Sequence, residues 1–442
     1  TTTGEFTMKR QWMGCSLLAA VACSSIALAA TDADVDKSFF PYRNGVPAFP
    51  GVKPGLVIGK DNVEPFRNAV DPALYQHLKD GWLEIPVGPT TSLDLHPNYV
   101  DATRKNLNKV KLGAQPGEIT GFVAGRPFPE EPDLKDPRAG EKLAWNFKYL
   151  INYGDNGAIT PFYWTFRDLN SGKIERRLNF SFHFLNYKHR VIEPPLPEVT
   201  PNPSQLFRGI YAKVLEPLDV KNTQLLIQRF SDDLKRDDAY LYLGFQRRVR
   251  RLATGQVTDA FLGSDLMVED FEGYNGRISD MVWTYKGTAD MLAPFFNHNE
   301  QKLSDEFKEP DGYKFIAFGG KGGCFPIVSW QLRKMYVLEA RPVDPGHPIS
   351  KRVYYVDSQT FTMSRTLIYD RKGELWKSFT VGKSLPDHHL PENKGSGTPV
   401  DDFFSMVDVQ SKHCTTGQFK AHMGGKLTPV SLFSVQNMRG GD

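Results

Sequence analysis

Cysteine is scarce in this chain. Four occur in 442 residues, at Cys15, Cys23, Cys324 and Cys414. No His stands at a diagnostic spacing from any of them, so a catalytic thiol is not expected. An excess of charge of one sign is missing as well. The net charge of +3 argues against a general nucleic-acid coat. Long apolar runs are confined to the start. The stretch Leu17–Ala30 is apolar or small but broken by Ser24 and Ser25, and a membrane-spanning helix needs about 20 such residues. No fixed-period repeat occurs. Enzyme signatures are missing too: there is no Gly-x-Ser-x-Gly and no His-Glu-x-x-His. Gly382-Lys383-Ser384 lacks the earlier P-loop glycine, because Lys377 stands there, and no helix pattern follows. The run Phe318-Gly319-Gly320-Lys321-Gly322-Gly323 lacks dinucleotide-binding spacing and reads as a flexible loop, a candidate lid. His388-His389 is an adjacent pair whose rings on a strand would face opposite ways, with only Asp387 and Glu392 nearby. No catalytic residue, metal site or cofactor is therefore expected.

What is present suits a large, β-rich globular protein. Apolar residues make up 40%, aromatic 12% and charged 24%, enough for a sizeable core. Gly (38) and Pro (31) are frequent, which fits a turn-rich chain and not a helical bundle. Met8 to Ala29 reads as a secretory signal, with Lys9 and Arg10 at its start and Ala27-Leu28-Ala29 as a cleavage site. Residues 1–7 precede it like a tag or a mis-set start. Ala20-Val21-Ala22-Cys23 offers a weak lipoprotein alternative. With cleavage after Ala29, only Cys324 and Cys414 remain. An oxidising compartment then favours a disulfide, two separate buried thiols being the alternative.

The chain divides into residues 1–29 (tag and signal), 30–200 (arm, helices and first strands) and 201–442, which continues the same sheet. Residues 31–60, with Pro41, Pro47, Pro50 and Pro54, predict an extended arm. A helix is expected from Asp71 as N-cap and Pro72 through Leu74, Tyr75 and Leu78 to Gly81. A second is expected near Asn98–Val110, then a proline-rich loop over Gly125–Gly140 and strands from about 142. In Ile174–Phe184 the even positions carry Leu178, Phe180, Phe182 and Phe184, so period two places three Phe rings on one face. This segment predicts a hairpin with Ile159–Phe166, covered on both sides, around Asn170-Ser171-Gly172. Glu193–Pro203 holds five prolines and reads as a linker or crossover. A helix is expected over Gln205–Leu215. Strands are expected at Thr223–Phe230, Ala239–Arg250, Trp330–Arg341, Arg352–Val356, Phe361–Tyr369 and Glu374–Phe379. The last two are joined by the turn Asp370-Arg371-Lys372-Gly373.

Gln246-Arg247-Arg248-Val249-Arg250-Arg251, followed by Phe261-Leu262-Gly263-Ser264-Asp265-Leu266-Met267-Val268-Glu269-Asp270-Phe271-Glu272-Gly273-Tyr274, resembles a bacterial periplasmic family. That family is related to LolA, of outer-membrane lipoprotein-sorting type, and is itself a domain of unknown function. Pro127-Phe128-Pro129 with Trp145-Asn146, and Tyr354-Tyr355-Val356-Asp357 with Tyr369-Asp370-Arg371-Lys372-Gly373, carry the same resemblance. It implies an α+β fold: a LolA-like incomplete antiparallel β-barrel, a curved sheet with helices on its concave face and a hydrophobic cavity between. It also implies a soluble periplasmic protein linked to transporters of the RND superfamily and an outer-membrane barrel. The likeness to LolA itself is at fold level, so LolA's lipoprotein cargo does not carry over.

A carrier of this kind must shield apolar ligand surface. Burying roughly 300 Å² at about 25 cal/mol per Å² is worth about 7 kcal/mol gross. The lining candidates are Trp164, Phe180, Phe182, Phe184, Leu241, Leu243 and Phe245, with ordinary core packing as the alternative. Arg247, Arg248, Arg250 and Arg251 are candidates for a headgroup or docking site. The alternative there is an ion-pair network with Asp259, Asp265, Glu269, Asp270 and Glu272. The expected function is non-enzymatic binding and ferrying of a hydrophobic or lipid-like molecule, with no nucleic acid as partner. An adaptor docked on a transporter is the runner-up, and a lipid-ester hydrolase a remote third.

Overall fold

The computed structural model describes residues 29–253 and 258–439. The expected signal segment, with Cys15 and Cys23, lies outside them apart from Ala29. One sheet of 14 strands dominates. Six of its strands come first: β1 (Asn156–Asp168), β2 (Ile174–Asn186), β3 (Leu206–Glu216), β4 (Gln224–Phe230), β5 (Asp238–Leu243) and β6 (Arg248–Arg251). Seven follow: β7 (Met281–Ala293), β8 (Gln331–Pro342), β9 (Ile349–Asp357), β10 (Met363–Asp370), β11 (Leu375–Ser384), β12 (Val400–Asp408) and β13 (His413–Met423). The remaining strand is Phe295–Phe296, parallel to β11.

The spatial order is β6-β5-β4-β3-β2-β1-β13-β12-β11-β10-β9-β8-β7. Two antiparallel meanders therefore meet at the β1–β13 pair. The first runs outward to one edge, β6. The second begins at the opposite edge, β7, and returns to the centre. The sheet is curved and does not close, since β6 and β7 are not paired with each other. The chain between them, through residues 258–280, has to cross one face of the sheet.

Side-chain alternation defines that face. Phe162, Trp164 and Phe166 of β1, Leu178 to Phe184 of β2, Ile210 to Val214 of β3, and Phe404, Met406 and Phe419 of β12 and β13 form one buried cluster. We call this the Trp164 face. The expected β1–β2 hairpin is present, with Phe162 opposite Phe180 and Trp164 opposite Leu178. Its turn is held by Asp168, whose Oδ1 accepts from Asn170 N and Ser171 N. Gly417, beside Trp164 across the strand pair, leaves room for the Phe404 ring, which any Cβ there would strike.

Four helices of eight or more residues among the described ones pack around the sheet: α1 (Asp32–Phe39), α2 (Pro72–Lys79), α3 (Pro97–Asn106) and α4 (Ala139–Lys148), and a short fifth, Val435–Arg439, sets Met438 in a cluster with Tyr211 and Leu226. Only α4 shares a cluster with the Trp164 side, through Leu143, Trp145 and Phe147 against Tyr274, Trp283 and Tyr354. Helices α1, α2 and α3 cover the reverse face, where Leu74 and Leu78 share a cluster with Phe403 and Val407, and Tyr99 with Phe295 and Leu367. At α2 the N-cap Asp71 takes Ala73 N and Leu74 N, as the sequence predicts. The same carboxylate receives Arg365 Nε at 2.7 Å and Nη2 at 3.0 Å from β10. Burial opposes its ionisation, but that guanidinium and the helix N–H hold Asp71 below the ordinary carboxylate value. No helix among the described residues is long and apolar enough to cross a membrane.

Several expected elements differ. The helix expected at Gln205–Leu215 is strand β3, because Ile210, Ala212 and Val214 serve the Trp164 face while Leu206 and Tyr211 pack in a cluster on the other. A strand buried on both sides offers no period to read. The single strand expected over Ala239–Arg250 is the β5–β6 hairpin, turned at Gly244–Arg247, with Arg247 at φ +48°. The arm after residue 31 opens with α1, started by a Thr31–Asp34 capping box. Residues 139–148, expected as loop and early strand, form α4. Gly140 there packs directly on the Trp283 backbone.

The glycine run 318–323, expected as a candidate lid, is pinned. Lys321 N bonds Trp82 O at 2.8 Å, and Cys324 forms the disulfide with Cys414 at the start of β13, 90 residues away. Closing a loop of that length contributes about 4 kcal/mol in the chain-entropy account. The double variant Cys324→Ser, Cys414→Ser should therefore lower the urea midpoint of unfolding by a corresponding margin. A midpoint equal to that of the oxidised protein would show that the bond adds nothing to stability.

Candidate functional site

The crossover from β6 to β7 is a strap laid on the Trp164 face. It consists of short 3₁₀ turns at Phe261–Gly263, Val268–Gly273 and Ile278–Asp280. Leu262 (φ +50°), Gly263, Glu272 (φ +57°) and Gly273 break any regular helix. Its apolar side chains Phe261, Leu266, Met267, Val268 and Phe271 all point into the face's cluster. Phe271 meets Trp164 and Phe182 edge-on at 6.2 and 5.8 Å, and Phe261 meets Trp164 at 5.9 Å.

Its acids do the anchoring. Asp265 Oδ2 accepts from Thr415 Oγ1 and lies 2.7 Å from His413 Nδ1, and its carbonyl takes Lys377 Nζ. Glu269 pairs with Arg352 at 2.9 Å and His347 at 3.1 Å. Asp270 also pairs with Arg352. Burial works against the Glu269 charge, yet Arg352 and His347 bring its pKa down to about 2. Glu272 accepts from Arg208 at 2.7 Å and Asn152 at 3.0 Å. These are four of the five acids that the sequence offers as partners for the Arg247–Arg251 cluster, Asp259 being the fifth. Each of the four is instead matched to a cation elsewhere, on β3, β9 or β13 or just before β9. Of that cluster, only Arg251 forms an ion pair among the described residues, with Asp238. Arg247, Arg248 and Arg250 are exposed at the edge. Among the described residues, no ion pair joins these arginines to the following segment.

Between strap and sheet lies a cavity of about 50 Å³. Apolar groups line it, among them Phe162, Trp164, Phe182, Phe184, Phe271 and Phe404, with Tyr153, Glu272 and Asp401 as its polar members. Tyr153 stacks on Phe184 at 4.2 Å and its hydroxyl bonds Asp401, which also pairs with Lys383. The Trp164 indole N–H is buried without an acceptor. Three of the seven expected lining residues, Trp164, Phe182 and Phe184, thus border the cavity. Phe180 packs against Trp164 and Phe261. Leu241 and Leu243 are half-buried on β5, one strand from the edge. Phe245 sits in the β5–β6 turn, 76% exposed, and cannot line an interior.

A second cluster, unexpected from the sequence, gathers His298, His389 and Asp402, all buried and with donor atoms within 4.8 Å of one another. Its hydrogen bonds test it as a metal site. Asn393 Oδ1 accepts from the backbone N–H of Met423 at 2.9 Å, which fixes Nδ2 as the donor to Ala421 O and to His389 Nδ1. His389 Nδ1 is then the acceptor and Nε2 carries the proton, which it gives to Tyr313 Oη at 2.9 Å. A metal ligand would need a lone pair on Nε2. His298 Nδ1 lies 2.8 Å from Asp402. Burial disfavours the imidazolium, but Asp402 overrides it and raises the His298 pKa. The residues fit a hydrogen-bonded clasp joining the 298–313 and 386–393 segments to β12, not a metal centre. The sequence signal was limited to His389, whose partners lie 91 residues earlier and 13 later.

The motif pieces away from the strap are structural clasps. Asn146 accepts from Phe128 N and donates to Phe128 O. Asp357 pairs with Arg333 in full burial.

The sequence profile of the family described as Protein of unknown function (DUF1329) matches residues 57–439. An uncharacterized protein of Pseudomonas aeruginosa, PA3922, is 24% identical over 375 residues, covering 79% of this chain and 73% of that one. Among solved structures, a DUF1329 family protein from Desulfovibrio piger is similar at 15% identity and a TM-score of 0.46, covering 69% of this chain and 100% of the other. The LolA superfamily protein NE2245 from Nitrosomonas europaea is similar at 12% identity and 0.36, covering 65% and 94%.

His413 gives the strap a pH dependence. Its hydrogen bonds to Asp265 and Glu175 raise its pKa from 6.5 to about 9. The stabilisation is complete below about pH 6.5 and is lost as pH rises through about 9. His413→Gln should therefore unfold at lower urea than the native chain at pH 6, and the two should converge at pH 10. A gap that does not change with pH would dissociate the imidazolium from the stability of the strap.

Proposed function

We propose that this chain, which belongs to the DUF1329 family, binds a hydrophobic or lipid-like molecule on the Trp164 face, beneath the 258–280 strap. The observation that carries the reading is the cavity itself. It is an interior space walled by Phe162, Trp164, Phe182, Phe184 and Phe404, on a sheet whose opposite edges stay apart. At about 50 Å³ it holds water-sized guests only, whereas ligand pockets run to roughly 300 Å³ and more. Binding therefore requires the strap to give way. Its 3₁₀ turns supply few backbone bonds to break, and its five apolar side chains vacate a surface a ligand can cover in their place.

Exchange rather than simple opening is the physical route. Exposing those five side chains outright would cost about 7–15 kcal/mol at 1.5–3 kcal/mol each. A ligand that slides in as the strap withdraws recovers most of that area. Bound ligand would also offer an acceptor to the Trp164 N–H, whose burial without one costs about 1–3 kcal/mol. In this reading the protein is a periplasmic carrier, the soluble member of an export route served by an RND-type transporter and an outer-membrane barrel.

The small volume favours one second reading, an adaptor whose interior is filled by its own strap. N-phenyl-1-naphthylamine, a neutral apolar probe, separates the two. A carrier should bind it with enhanced fluorescence and release extractable lipid after native purification. Phe182→Asp should abolish probe binding while the Cys324–Cys414 bond still forms. No probe binding and no lipid would leave the adaptor, and full binding by Phe182→Asp would move the site elsewhere.

A further inference from the structure

Glu272 sits where two cavities meet. It borders the apolar cavity under the strap and also a second of about 30 Å³ lined by Lys148, Asn152, Arg208 and Arg229. Arg208 is on β3, in alternation with Ile210 and Ala212, so it belongs to the Trp164 face. Its guanidinium lies 5.4 Å from the centre of the Phe184 ring. Phe184 in turn lines the apolar cavity. An apolar wall and a cation thus adjoin directly.

The Glu272–Arg208 contact is incomplete. Both hydrogen bonds to Glu272 end on Oε1, from Arg208 Nη2 and Asn152 Nδ2. Arg208 Nε and Asn152 Oδ1 are buried without hydrogen-bond partners among the described residues, and the Arg208 side chain is only 8% exposed. Arginine's fork is built to hold a carboxylate at two nitrogens, and here it is used at one. Glu272 reaches it only through a left-handed backbone at φ +57°, a conformation costly for a residue with a Cβ. The neighbouring charges are already matched: Lys148 with Asp233, Arg229 with Asp237. One anion leaving and one arriving keeps this balance, whereas a dianionic head would upset it.

We infer that the ligand is a long-chain carboxylate. Its tail lies on the Trp164 face, and its head takes both nitrogens of Arg208 in the place Glu272 fills when the strap is closed. Glu272 is then a built-in competitor whose displacement couples head recognition to strap movement. This rests on the binding reading above and adds the headgroup to it.

cis-Parinaric acid and its methyl ester share a tail and differ in the head, so they test the two levels separately. The native protein should bind the acid about tenfold or more tighter than the ester, the scale of one charge-assisted hydrogen-bond pair. Arg208→Gln should keep ester binding and lose the preference. Glu272→Gln, which leaves Arg208 in place with a neutral partner, should tighten acid binding several-fold and ester binding by a smaller factor, since a looser strap helps both while a freed Arg208 helps the acid alone. Equal binding of acid and ester by the native chain overturns the headgroup assignment while the carrier reading stands. So does an acid preference that survives Arg208→Gln, or acid affinity unmoved by Glu272→Gln. If neither probe binds, the carrier reading falls and the headgroup with it.

Discussion

A chain that ends one meander at β6 and begins the next at β7 has to travel the width of the sheet, because those strands form its two edges. On a flat sheet such a crossover could loop around the outside. Here it crosses the Trp164 face, where it meets aromatic side chains from β1, β2, β12 and β13. The strap must therefore be apolar beneath and must find a partner for every backbone and charged group it brings inside. Its composition follows from those two demands. Phe261, Leu266, Val268 and Phe271 meet the first; Asp265, Glu269, Asp270 and Glu272 answer cations on three strands and His347.

Those ion pairs set position more than they add stability. A buried pair recovers little beyond what desolvation costs, but breaking one strands a charge and costs about 3–5 kcal/mol. The strap is thus fixed in register without being bound deeply. Apolar contact supplies attraction without direction, and the carboxylates select which of many greasy placements is occupied. The same arrangement makes the placement reversible where an external anion can substitute for an internal one. Asp265 is held by three groups, and Asp270 and Glu269 converge on Arg352, whose Nε and Nη1 also lack hydrogen-bond partners among the described residues; Glu272 is the one of the four acids that borders the apolar cavity. The strap is tied firmly in its first half and more loosely where Glu272 adjoins the cavity.

Elements with a local signal were legible in the sequence. The β1–β2 hairpin follows from strict alternation over Ile174–Phe184, α2 from its Asp71-Pro72 start, and the β10–β11 turn from Gly373 at φ +81°. The resemblance carried the curved-sheet class. Strand β3 was hidden because burial on both faces erases its period, and α4 because its helix begins inside a proline-rich stretch. At the site, the rings Trp164, Phe182 and Phe184 announced themselves by spacing, and Phe245 shared their spacing but falls in a turn. Arg208 could not be singled out, since one arginine in an apolar strand has no local signature. Its meaning comes from Glu272, 64 residues away. The acids of the strap were visible, but adjacency in sequence pointed them to the wrong arginines.

Those arginines have a use at the edge. An unpaired strand invites pairing with another, and charge blunts it. On β6, Arg248 and Arg250 are exposed and Arg251 is tied to Asp238. On β7, Lys286 is exposed, and a bulge between Tyr285 and Gly287, with Gly287 at φ +129°, breaks the ladder. Cations on both edges repel, and the bulge removes the flat register that closure would need. A barrel sealed between β6 and β7 would enclose the strap that links them. Keeping the edges apart is therefore part of the same design as the strap: the sheet is curved enough to surround an apolar interior and charged enough at its margins never to shut it.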